Sequence, residues 1–138
     1  MIKSYRDLRV WKAAIDLVEG IYRLGRSFPK YEIFGLTSQM QRAAVSVASN
    51  IAEGHAREHR KEFLHHLSIA QLSLAELETH VEIAARLGYS SRIRVDPIPE
   101  QSSTLGKQLY ALRNALLKPG RENGPMGTQK RNGVSKER

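Results

Sequence analysis

The chain has no cysteine, so any metal site would fall to histidine and carboxylate side chains. The spacing that invites one is His59, Glu62 and His66, at steps of three and four on one helical face. Zinc needs three or four converging ligands, and no second histidine cluster stands elsewhere to complete a site. A carboxylate-bridged metal pair in a helical bundle needs a Glu-x-x-His pair on each of two helices. Only one exists, Glu62-x-x-His65. Ser46 and Ser49 lie in no Gly-x-Ser-x-Gly elbow, and there is neither a phosphate loop nor a dinucleotide fingerprint. Glu76, Glu78 and Glu82 read as a charged helix face. The expectation is therefore a non-enzyme with no catalytic residue, no cofactor and no metal.

The basic residues offer a different chemistry. Lys and Arg total 22 against 14 Asp and Glu, a formal charge of +8, which favours polyanionic partners through a long-range field. Lys3, Arg6, Arg9 and Lys12 step by three along the first helical segment and predict a basic ridge. Arg23 and Arg26 carry positive charge to its other end, and Arg57, Arg60 and Lys61 cluster just past Gly54. Such clusters can neutralise phosphates without reading bases, giving an affinity that falls steeply with salt. No recognition-helix, zinc-finger or aromatic RNA-binding signature accompanies them. The expected function is non-specific binding of RNA or DNA by a non-catalytic helical module. The alternative is a protein-interaction scaffold whose charge serves solubility alone.

Four apolar stripes at helical spacing must position these residues, and no segment alternates like a strand. The first helix is expected over about Tyr5 to Ser27, with Ser4 as its cap. Two rows lie on it: Leu8, Trp11, Ile15, Val18 and Tyr22, and Val10, Ala14, Leu17, Ile21 and Leu24. One bundle core comfortably buries only one row, so the surplus predicts association of subunits, the alternative being a broad helix face inside one bundle. The second stripe is Ile33, Leu36, Met40, Ala44, Val47 and Ile51, with Glu53-Gly54 ending the helix as a glycine cap. Ala43, Ala48 and Ala52 are short enough to let a neighbouring helix approach closer than the usual ~8–10 Å. The third helix is expected from about Glu58 to Leu87, with Phe63, Leu67, Ala70, Leu74, Leu77, Val81 and Ala84 inward and a weak start at His59. Leu64, Ile69, Leu72 and Ile83 again exceed one seam. The fourth spans about Pro99 to Leu117 on Ser102, Leu105, Leu109, Leu112 and Leu116.

Residues 1–118 thus form one all-α bundle, and 119–138 read as a disordered basic tail. In the tail five basic residues against Glu122 and Glu137 leave +3. The start, Met-Ile-Lys-Ser-Tyr-Arg-Asp, has no apolar signal core, and apolar runs are too short to span a bilayer. A cytoplasmic chain with no membrane partner is expected.

Gln41-Arg42-Ala43-Ala44-Val45-Ser46-Val47, Asn50-Ile51-Ala52-Glu53-Gly54 and Arg57 resemble the signature of a bacterial four-helix-bundle family first noticed in intervening sequences of 23S ribosomal RNA genes. Tyr5-Arg6-Asp7-Leu8, Val10-Trp11, Phe28-Pro29, Glu32, Phe34-Gly35-Leu36, Glu62-Phe63, Ser73-Leu74 and Glu76-Leu77-Glu78 extend the likeness over residues 4–118. Ala48 stands where the family usually has proline, and Leu72 where it usually has glycine. The resemblance implies an antiparallel up-and-down four-helix protomer, a homopentamer, and no enzymatic activity. It also implies a partner such as a reverse transcriptase, since a similar accessory protein of diversity-generating retroelements works with one. Trp11, Arg42, Asn50, Glu53 and Gly54 are the motif residues to which structural contacts between helices or subunits are assigned.

Overall fold

The computed structural model describes residues 2–118. The expected tail, 119–138, lies outside the described residues. The chain enters through a one-turn 3-10 segment, Tyr5–Asp7. Ser4 Oγ accepts the Arg6 N–H (3.1 Å), and Asp7 Oδ2 accepts the N–H groups of Lys3 (2.8 Å) and Ser4 (3.2 Å). This reciprocal capping closes on itself after one turn. Leu8 then takes an extended backbone that lets its side chain enter the core, so α1 begins only at Arg9 and runs to Gly25. The single helix expected from Tyr5 is thus split in two. At its far end Phe28 leaves the helix and is buried.

α2 is Leu36–Ala56. Its start comes later than the stripe suggested, because Glu32 reaches forward to cap it: Oε1 accepts the Leu36 N–H at 2.8 Å. A Cβ at Gly35 would sit 2.6 Å from that carboxylate oxygen, so a side chain there would push the Glu32 cap aside. Ile33 therefore precedes the helix and is half exposed, not core. Glu32 Oε2 accepts the Tyr89 hydroxyl at 2.6 Å, and Tyr89 packs against Phe28 and Tyr31. One carboxylate thus ties the first inter-helix connection to the third.

Gly54 does not end α2, which continues for two more residues. It lies inside the last turn where α3 comes close; a Cβ there would stand 2.7 Å from His66 Cβ and 3.0 Å from Phe63 Cδ1. The glycine serves close approach, not capping. α3, Arg60–Arg86, starts after an extended His59 that makes no side-chain cap bond. It stops at Gly88, the one described residue with positive φ (73°), where the Tyr89 N–H returns to the Ala84 carbonyl, as a left-handed glycine cap requires. A 3-10 turn, Ser91–Arg94, leads to α4, Ile98–Leu117.

The helices run up, down, up, down. α1 packs on α2 and α4, α3 packs on the same two, and the α2–α3 pairing is the most extensive. The inward stripe of α3 matches the sequence reading, as does that of α4 except that Leu112 is only partly buried, and on α1 it is the row Val10, Ala14, Leu17, Ile21 and Leu24 that is buried. Ile21, Met40, Phe63 and Leu105 are fully enclosed, each stabilising the fold by about 1.5–3 kcal/mol. Ala43, Ala44 and Ala48 are buried on α2. A polar ladder crosses the α2–α3 seam. Ser46 Oγ meets Ser73 Oγ at 2.8 Å, Asn50 Nδ2 donates to the Ser46 carbonyl at 2.9 Å, and Asn50 Oδ1 faces His66 Nδ1 at 2.9 Å. The Asn50 oxygen can only accept, so in this arrangement His66 carries its proton on Nδ1.

Two outcomes check these packing assignments. Gly54→Ala should raise stability by about 0.5–1 kcal/mol if helix propensity alone mattered. The close contact instead predicts a loss of about 1–3 kcal/mol, measured by urea unfolding followed by circular dichroism. The Tyr89 and Leu36 hydrogen bonds hold the Glu32 carboxyl below its ordinary 4.5. A depressed folded-state pKa gives stability that is present above 4.5 and lost as pH falls through the folded value. Glu32→Gln should therefore be less stable than the parent at neutral pH, with the difference shrinking on acidification below the ordinary glutamate range.

Candidate nucleic-acid interface

Because α1 rises and α2 descends, the start of α1, the end of α2 and the start of α3 share one end of the bundle. Lys3 and Arg6 come from the capped entry turn, Arg9 and Lys12 from α1, and Arg57, Arg60 and Lys61 from the α2–α3 connection. Three separate segments thus converge. The continuous ridge expected along one helix is replaced by this cluster, since Lys3 and Arg6 precede the break at Leu8. Arg23 and Arg26 lie at the opposite end, and Arg23 is held by Glu19 at 2.6 Å.

Pairing separates the two ends further. At the far end Arg86 binds Glu82 (2.8 Å) and Arg92 lies 3.5 Å from Asp96, so with Arg23 three cations are paired there and Arg26, Lys30 and Arg94 are not. Among the described residues, none of the seven cations at the near end forms an ion pair. Asp7, Glu53, Glu58 and Glu62 stand at the same end, and Lys118 at the close of α4 joins the seven, so eight cations face four acids. Asp7 is turned toward backbone N–H groups, which hold its carboxyl below the ordinary range. His55 adds no charge at neutral pH, because burial lowers its pKa against the weaker opposing pull of Asp7. The first N–H groups of α3 carry no side-chain cap, and their partial positive charge adds to that of Arg60 and Lys61.

A feature the spacing did not indicate is the stack at the entry turn. The Arg6 guanidinium lies 5.7 Å from the Tyr5 ring centre and 5.5 Å from that of Trp11, and the two rings meet edge to face at 5.2 Å. Arg6 is thereby preorganised above aromatic faces. The adjacency Tyr5-Arg6 was visible in the chain, but only the break at Leu8 folds it back onto Trp11. Trp11 is half buried.

The motif residues of α2 divide between two roles. Asn50 and Gly54 face α3 as described. Arg42 and Glu53 are exposed, with Glu53 Oε1 3.9 Å from His66 Nδ1. His66 is committed to Asn50 and does not join His59 and Glu62 in a site; among the described residues no group of three histidine or carboxylate side chains could hold a metal. No helix among them is long and apolar enough to cross a membrane.

The family model described as 23S rRNA-intervening sequence protein matches residues 6–111. A search of curated proteins found no match. The match takes in all three segments of the basic end but for Lys3, the α2 motif and most of α4. The chain belongs to the 23S rRNA-intervening sequence protein family.

Proposed function

We propose that this protein is a non-catalytic, self-associating helical module that binds the phosphate backbone of RNA or DNA through its basic end, without reading base sequence. The observation that carries this reading is the gathering of seven cations from three segments, none with an ion-pair partner among the described residues. A solvated surface designed only for solubility intersperses its charges, as the far end does with Glu19–Arg23 and Glu82–Arg86. Residues 119–138, joined to the same end through Lys118, contribute a further +3.

Self-association supports this role by repeating the cationic end around an axis, and the ring of five suggested by the resemblance is the proposed state. Ile15 and Tyr22, 39% and 44% exposed, form an apolar strip that one bundle leaves unburied. A nucleic-acid enzyme such as a reverse transcriptase is the proposed protein partner, brought to the same polymer.

Gel shifts with single-stranded RNA, duplex RNA and duplex DNA test the reading. Arg57→Glu, Arg60→Glu and Lys61→Glu combined should weaken binding more than tenfold at low salt and flatten the dependence of log affinity on log salt by up to about three units. The pair Arg23→Glu and Arg26→Glu should change both much less. Absence of binding to all three polymers at low salt would instead support a pure protein scaffold.

A further inference from the structure

We infer that copies of this chain join through two different faces, an outer row of α1 on one copy packing parallel and in register against an outer row of α3 on the next. This rests on the self-association proposed above and adds which surfaces meet.

Each of the two helices carries a second row besides the stripe that fills its own core. On α1 it is Trp11, Ile15, Val18 and Tyr22. On α3 it is His65, Ile69, Leu72 and Glu76, continued by Thr79 and Ile83. Leu72 is 70% exposed and Ile83 41%. Both rows advance by alternating steps of four and three, the spacing of a helix-to-helix seam. A bundle helix needs one such stripe, so the second is surplus unless another helix covers it.

Neighbouring contacts fix where the rows point. Val18 lies seven residues before Gly25, which faces Thr37 and Gln41 of α2, whereas Ala13, Asp16 and Gly20 turn toward α4. On α3, Gln71, Ala75 and Glu78 face α4, and the outer row lies on the other side, beside Ser73, which meets α2. The two rows therefore flank α2.

Their heights agree as well. Gly25 sits opposite Thr37 and Gln41, so α1 and α2 residues are level when their numbers sum to about 64; Ser46 meets Ser73, so α2 and α3 residues are level at a sum of about 119. Residue n of α1 is thus level with about residue n + 55 of α3, to within the ~1.5 Å rise of one residue. The rows themselves pair at an offset of 54: Trp11 with His65, Ile15 with Ile69, Val18 with Leu72, Tyr22 with Glu76. Rotation about an axis parallel to the bundle preserves height and direction, and α1 and α3 run the same way. It would bring these layers together without any sliding. The last layer sets a phenol beside a carboxylate, a ready hydrogen bond.

Since the two faces differ, the contact is head to tail, and such a chain closes into a ring when the turn from copy to copy divides a full rotation. α2 would then face the axis, with Arg42, Ser49 and Glu53 of every copy lining it, and every basic end would sit on one rim.

The absence of native cysteine makes the pairing directly testable. In the full chain carrying Ile15→Cys with Ile69→Cys, oxidation should give a covalent ladder ending in a closed ring. Each single variant should stay uncrosslinked, and a mixture of the two should stop at dimers. Leu72→Glu, at a position a lone bundle exposes, should reduce the light-scattering mass to that of one chain with helical content unchanged. A parent chain that is already single in dilute solution overturns both this pairing and the association reading. An associated parent whose double variant gives no ladder, or whose single variants crosslink to themselves, overturns the pairing alone.

Discussion

The close approach of α2 and α3 is the constraint from which the rest of the arrangement follows. It is possible because α2 presents Ala43, Ser46, Asn50 and Gly54 where other helices present leucine, and it leaves so little room that even a methyl group at Gly54 would collide with His66. At that separation the polar side chains of the seam must meet partners, and Ser46, Asn50, Ser73 and His66 do so. Apolar contact alone would tolerate small shifts of one helix past the other. The ladder does not, because a slip of one residue would leave half-buried donors unpaired, each costing about 1–3 kcal/mol. The seam therefore sets the register of the bundle as well as its thickness.

Register at the seam is what assembles the basic end. Arg57, Arg60 and Lys61 follow directly from the point where α2 and α3 are pinned together, and the entry turn is carried to the same end by α1. The opposite end is fastened differently, by a carboxylate that caps α2 and holds the Tyr89 hydroxyl. That bond raises the Tyr89 pKa while lowering that of Glu32, so both groups are held in the protonation states they have at neutral pH. Arg23, Arg86 and Arg92 near that end are tied to acids one helical turn away, while Arg26, Lys30 and Arg94 form no ion pair among the described residues. The two ends thus differ in charge availability although both are rich in arginine.

The helices and their buried faces were legible because period and residue size suffice for them. The inward stripes of α3 and α4 needed nothing beyond spacing. The misjudged points involve particular side-chain contacts that periodicity does not register. Glu32 shortens α2 at its start, the Ser4–Asp7 pair detaches the entry turn from α1, and His66 explains Gly54 by proximity across a seam. Capping rules look three residues ahead, whereas Glu32 reaches four through a glycine, and no one-dimensional rule places His66 opposite Gly54. Of the candidate site, the residue types and two of the clusters were visible. That seven of the nine cations converge while Arg23 and Arg26 stand apart was not, because it depends on helix direction.

The surplus apolar rows bear on the charge as well as on assembly. A single basic end holds eight cations, Lys118 included, against four acids, and solvent ions screen such a patch within about 8 Å at physiological salt. One copy alone would hold a polyanion weakly. Repetition on one rim, as proposed, would change the balance, since each further phosphate contact on an already bound polymer is intramolecular and gains from effective concentration. It would also fix spacing between patches, which a flexible polymer can follow more readily than a stiff duplex. Exposed leucine and isoleucine on α1 and α3 would weaken a solitary bundle's solubility. Exposed unpaired arginine would do little for its stability. Together they make physical sense when the apolar rows hold the copies side by side and the unpaired cations are left to the ligand.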